Sequence, residues 1–211
     1  MVSVCKARKG VYGSMMIYDI SQEVFSCNVF PGDPSPRREQ TLSLQKGDVC
    51  NLTQIHMCTH NGTHVDAPYH FLDDGKTIEK IPLEAFLGAC YVVKHQGDIS
   101  AQDAREMLEK AGAVNAGERI LIGGKATVTA EAAGIFAKAG MKLLGNESQT
   151  VGPEDAPKEV HLILLGAEVI LLEGLVLAHV PEGKYLLNAA PLNLEGGDGA
   201  PCRAILIDKG I

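Results

Sequence analysis

Residues His60-Asn61-Gly62-Thr63-His64-Val65-Asp66-Ala67-Pro68-Tyr69-His70 place three of the chain's seven histidines and an aspartate within eleven positions. If His60, His64 and Asp66 meet at one point, few local folds are left to the chain. On a helix His60 and His64 would share a face, but Asp66 would lie about 200° around from His64. On a strand His64 and Asp66 would share a face, but His60 would sit roughly 13 Å from His64. A turn resolves the conflict. Asn61-Gly62 is a strong turn dipeptide, because Gly tolerates positive φ and Asn is the next most tolerant. The expected local structure is a tight turn there, followed by a short strand Thr63–Asp66 that Pro68 ends. Folding at Gly62 then returns His60 to the side of His64 and Asp66.

Two imidazoles and a carboxylate suit a borderline divalent metal. Any one of these histidines could belong to an ordinary polar loop; the constellation around the turn points to a metal site. A purely structural metal takes four protein ligands, usually with thiolates, and none lies in this cluster. Nitrogen and oxygen donors favour a catalytic site. His70, just past the proline, is free to act as an acid or base near the metal, since an imidazole titrates close to neutrality.

With 211 residues the chain is long enough for one domain with a sizeable core, expected over 15–211 behind a loose tail at 1–14. Its net charge of −7 argues against nucleic acid as a partner. No apolar run reaches membrane-spanning length, and no apolar stretch follows Lys6, Arg8 and Lys9 as a secretion signal would require. The six cysteines are scattered without a Cys-x-x-Cys pair, which fits free thiols in the cytoplasm.

Strands are expected at Met15–Ile20, Arg37–Asp48 (an edge strand), Cys50–Met57 and Ala89–Lys94. Phe30-Pro31-Gly32-Asp33-Pro34 is dense in turn formers and reads as a loop. Ser100 with Asp103 three residues on makes a capping box for a helix that Gly112 stops. Thr129 caps a second helix, stopped by Gly140. The strands Arg119–Ile122 and Met141–Leu144 follow them, implying parallel pairing with right-handed crossovers. Gly145–Pro157 is then a loop at a strand's carboxyl end, where α/β proteins tend to put ligands. Val169–Leu172, Leu175–Val180, Tyr185–Ala190 and Arg203–Ile207 read as further strands, with a hairpin-like turn at Pro181–Lys184. The fold class is therefore α/β with a mixed parallel and antiparallel sheet. His161 and Glu173 stand out as polar groups inside apolar runs; a buried carboxylate needs a cation or a donor.

The string His60-x-Gly62-Thr63-His64-x-Asp66-x-Pro68-x-His70 resembles the signature of the cyclase-like metal-dependent hydrolases, which include bacterial kynurenine formamidases and isatin hydrolases. The resemblance implies a barrel-like core of the swivelling β/α/β kind over roughly Ile17–Ile207. It implies a second metal held by a His and a Glu twelve residues apart, as His161 and Glu173 are, with Asp66 bridging two divalent ions (zinc ahead of manganese). It sets Phe30 beside the substrate pocket as an aromatic contact, and it implies dimers or tetramers. The activity implied is hydrolysis of a small-molecule amide, N-formyl amides first and cyclic amides or lactones next, with His70 shuttling the proton. Gly123-Gly124-Lys125 departs from the Arg-Thr-Gly expected after a strand, and Asn146 from an expected Asp. A second reading, a non-catalytic metal- or ligand-binding protein on the same fold, draws on those departures.

Overall fold

A mixed sheet of nine strands carries the histidine-rich stretch near one end and three helices on one face. The computed structural model describes residues 15–208; the tail expected over residues 1–14 lies outside them. In chain order the strands are β1 (Met16–Asp19), β2 (Arg37–Leu42), β3 (Leu52–His56), β4 (His64–Asp66), β5 (Leu87–Lys94), β6 (Gly97–Ile99) and β7 (Arg119–Gly123). They continue with β8 (Ala126–Val128), β9 (Leu143–Asn146), β10 (Ile170–Glu173), β11 (Gly183–Asn188), β12 (Gly199–Pro201) and β13 (Ile205–Asp208). The helices are α1 (Ala101–Ala113), α2 (Ala130–Lys138) and α3 (Lys158–Gly166). The main sheet runs β1-β13-β11-β5-β7-β9-β10-β4-β12, while β2–β3 and β6–β8 form two small sheets. It curls into a half-barrel, the mixed α/β architecture that the sequence implies.

Strands β5, β7, β9 and β10 pair in parallel, as strands separated by helical crossovers must. Both faces are covered, so the central strands read as apolar runs. Along β7, Ile120 and Ile122 pack with Ala104, Met107, Ala132 and Phe136 of the helices, whereas Leu121 joins the core on the other face. The same alternation in β10 sends Leu171 to the helix side and Leu172 to the other. α1 opens with the expected capping box of Ser100 and Asp103, and α2 with Thr129 accepting from the Ala132 N–H.

Several local expectations are corrected. Gly112 lies inside α1, which runs to Ala113 and is ended by Asn115 at φ 54, with Ala116 N–H closing on Ala111 O. The strand expected over Arg37–Asp48 stops at Leu42; it pairs with β3 alone in a two-stranded sheet, and the chain turns at Ser43–Gly47. Leu175–Val180 is not a strand. Gly174 turns the chain at φ +68, after which only an isolated bridge, Ser21 to Leu175, forms. No hairpin therefore spans Pro181–Lys184, because β11 pairs with β5 and β13. β9 extends to Asn146, which ends the strand rather than entering the loop. Helix α3 was not expected: its apolar run Val160–Leu165 is too short for periodicity to separate helix from strand.

Candidate metal centre

Strand β4 lies between β10 and β12, antiparallel to both. Val65 points into the core on one face, so His64 and Asp66 point to the other. The register sets Glu173 opposite His64 and Leu171 opposite Asp66, which puts Glu173 on that same face. α3 covers this face, burying His161 between Val160 and Leu164. His64, Asp66, His161 and Glu173 are each at most 2% exposed. His60 arrives from the turn, where Gly62 takes φ +69 and Asn61 Oδ1 accepts from the Cys58 N–H. Pro68 opens a 3₁₀ turn, Pro68–His70, that swings His70 back until its ring stacks on His60, centroids 4.0 Å apart.

The hydrogen bonds fix which ring nitrogens face inward. His64 Nδ1 donates to Gly62 O at 2.9 Å, leaving Nε2 3.3 Å from Asp66 Oδ1 and 3.6 Å from Glu173 Oε2. His161 Nδ1 donates to Pro157 O at 2.8 Å, leaving Nε2 3.4 Å from Glu173 Oε1 and 3.6 Å from Asp66 Oδ2. A neutral Nε2 would turn a lone pair on two carboxylates; only a proton or a metal cation removes that repulsion. Burial by itself would lower His64 and His161, but the contacts with Asp66 and Glu173 push both up to about 10. Burial opposes the shift at His60 too, and Asp198 and Asp66 push it up to about 9. Burial should raise Asp66, yet contacts with His161, His60 and His64 hold its carboxyl well below the usual range. Asp66 Oδ2 is buried without a hydrogen-bond partner, as a waiting ligand atom would be. The donor set and this orphaned oxygen fit a divalent metal.

Three overlapping groups of described residues bring their donor atoms within 4.8 Å of one another: His60, His64 and Asp66; Asp66, His161 and Glu173; and His60, His70 and Asp198. All open on a cavity of about 460 Å³ whose wall includes Phe30, Phe71, Gln149 and Thr150. The structure thus gathers His60, His64, Asp66, His161 and Glu173 into one cluster and sets His70 and Phe30 on its cavity.

Sequence reasoning missed Asp198, whose only signal is an acid in the glycine-rich run Gly196–Gly199. It also missed Gln149 and Thr150, whose buried side-chain amide and hydroxyl lack hydrogen-bond partners beside the cavity. Gly124 and Asn146 are both tied into the local structure. A Cβ at Gly124 would stand 2.2 Å from His95 O, and Glu147 accepts from the Gly124 N–H. Asn146 Nδ2 donates to Thr150 O at 3.1 Å, holding the loop that carries Gln149 and Thr150.

A curled mixed sheet with a His, Asp and Glu cluster at an open cavity defines an α/β protein built around a divalent metal. The Cyclase family model, described as Putative cyclase, matches residues 18–153, and the chain belongs to that family. Kynurenine formamidase of Erythrobacter litoralis (strain HTCC2594) is 32% identical over 90% of this chain and 93% of its own length. Kynurenine formamidase of Salinibacter ruber (strain DSM 13855 / M31) is 33% identical over 92% and 98%. A solved structure described as a potential metal-dependent hydrolase with cyclase activity superposes with a TM-score of 0.77 at 28% identity, covering 92% of this chain and 98% of that one.

Proposed function

We propose that this protein is a metal-dependent hydrolase of small amides, with N-formyl arylamides of the kynurenine formamidase kind as its leading substrates. The observation that carries the reading is the convergence of three histidines and Glu173 on Asp66, with His70 facing the same cavity. His60, His64 and Asp66 would hold one ion, and Asp66, His161 and Glu173 a second, with Asp66 shared. Nitrogen and oxygen donors suit zinc first and manganese next. Metal bound here supplies Lewis acidity, which polarises a carbonyl and makes water a nucleophile at neutral pH.

The chain's own residues do the rest. His64 and His161 are held in one tautomer by Gly62 O and Pro157 O. His70 takes a proton as water attacks the scissile carbonyl and returns it to the departing nitrogen. Phe30 and Phe71 supply an apolar wall for the substrate, while Thr150 Oγ1 and the Gln149 amide offer unspent hydrogen-bonding capacity.

The test is metal content of protein purified without added metal, with N-formylkynurenine hydrolysis assayed before and after chelation. About two ions per chain and chelator-sensitive turnover are expected. Metal without turnover on formyl or cyclic amides would leave a binding protein, and absence of metal would overturn the reading.

Homo-oligomerisation belongs to the same proposal. The β2–β3 pair stands apart from the main sheet and exposes Leu44, Leu52 and Ile55; an isolated two-stranded hairpin is marginal in water. A second copy of this chain is the occupant that completes it. The five described cysteines are free, which supports a cytoplasmic setting. No helix of the described residues is long and apolar enough to cross a membrane.

A further inference from the structure

We infer that Asp198 is a positioning residue that locks the metal-facing histidine His60 to the acid/base His70, a role that rests on the metal-dependent reading above. Its Oδ2 hydrogen-bonds His60 Nε2 at 3.0 Å and lies within ion-pair reach of His70 Nδ1 at 3.6 Å, so one carboxylate oxygen faces two stacked imidazoles. His64 and His161 are each oriented by a backbone carbonyl; His60 has no such carbonyl and uses Asp198 instead. By accepting from His60 Nε2, Asp198 commits Nδ1 to the side of Asp66, 2.9 Å away. Carboxylates that receive the outer N–H of a metal-binding histidine fix its tautomer and raise its basicity. By facing His70 Nδ1, the same group leaves His70 Nε2 as the nitrogen available for proton transfer.

Asp198 is anchored through both its side chain and its backbone. Thr59 Oγ1 donates to Asp198 Oδ1 at 3.0 Å, and the Ala67 N–H donates to Asp198 O at 2.9 Å. Gly199, paired with Asp66 in the β12–β4 register, leaves no Cβ where His60 Cε1 would be 2.8 Å away. The glycine after Asp198 therefore makes room for the ring that Asp198 orients. Asp198 thus ties the chemistry to β12 on one side of β4, as Glu173 ties it to β10 on the other.

The experiment compares Asp198→Ala, Asp198→Asn and Thr59→Val with the wild type. Zinc affinity is read by chelator competition, and kcat and KM for N-formylkynurenine are read at saturating zinc. For Asp198→Ala, zinc affinity is expected to fall about 10–100-fold. Its kcat should fall even when fully loaded, with KM within about twofold of wild type. Asp198→Asn, which keeps an oxygen acceptor for His60, should recover part of the zinc affinity. Thr59→Val, which removes only the carboxylate's anchor, should move both readouts the same way by less. Wild-type affinity and kcat in Asp198→Ala would overturn the inference. So would loss of one zinc per chain without recovery in Asp198→Asn, since Asp198 would then be a ligand. If Asp198→Ala does not fold, an unmoved Thr59→Val is the overturning result. A wild-type chain without zinc would instead bring down the metal reading itself.

Discussion

Asp66 is the group on which most of the site's chemistry converges. It touches His60, His64 and His161, keeps one oxygen without a partner, and holds its charge although buried. Asp66→Ala should lose metal and turnover together, as read by elemental analysis and assay; full metal content with activity would remove its bridging role. His70→Ala should keep its metal and lose about 10²–10⁴ in kcat, the usual worth of a positioned acid/base. Loss of metal in that variant would make His70 a ligand instead. Proton linkage gives a sharper sign. His60 at about 9 and His64 and His161 at about 10 stand above an ordinary imidazole near 6.5. A raised folded-state value adds stability in full below about pH 6.5 and loses it as pH rises through 9–10. The chelated protein should therefore melt at progressively lower temperature from pH 7 to 10. The metal-loaded protein should move the other way, because metal displaces those protons. Parallel melting curves for the two forms would sink the ligand assignment.

At the scale of elements, the site depends on short segments pinned at their ends. Gly174 ends β10 at φ +68, and a Cβ there would stand 2.3 Å from Gly62 O, the carbonyl that orients His64. Thr63 Oγ1 donates to Gly174 O at 2.6 Å, tying the two turns together. Gly174→Ala should cost at least about 1–3 kcal/mol of stability by denaturant titration, through backbone strain and the clash. Weaker zinc binding should accompany that loss. A stable variant with unchanged zinc affinity would show that the two turns are independent. By contrast Ser100→Ala, which breaks the capping box of α1 far from the cavity, should cost about 1 kcal/mol and leave zinc affinity unchanged.

Over the whole molecule, the cluster joins β4, β10, α3 and the turn at Gly62, elements separated by as much as a hundred residues or more in the chain. Ions held there would act as a clasp on the end of the half-barrel. Metal at about 100 times its Kd should then add about 2.7 kcal/mol to stability, visible as a fall in Tm on chelation. The exposed β2–β3 hairpin makes the second prediction at this scale. Ile55→Lys with Leu52→Lys should reduce the native mass in light scattering to that of one chain; an unchanged mass would place any interface elsewhere.

What was legible in the sequence follows from how local each signal is. The need for a chain reversal before His64, the cap at Ser100 and the alternation of apolar residues along the central strands depend on neighbours a few residues apart. They could be read from residue type and spacing, although the hydrogen-bonded turn closes at Cys58–Asn61 and Gly62 supplies only the bend at φ +69 that follows it. The same locality explains the misreadings: Asn115 rather than Gly112 takes the left-handed position after α1, and Val160–Leu165 carries no period long enough to declare a helix. His161 and Glu173 could be singled out because polar groups within apolar runs need partners. Their partner is set by the antiparallel register of β4 on β10, which one residue's slip would have reversed. Asp198 and the unpartnered Thr150 have no sequence pattern of their own. Only the pairing of β12 with β4 and the packing of the 147–157 loop bring them to the cavity, because such contacts are decided by the whole fold's burial rather than by any local preference.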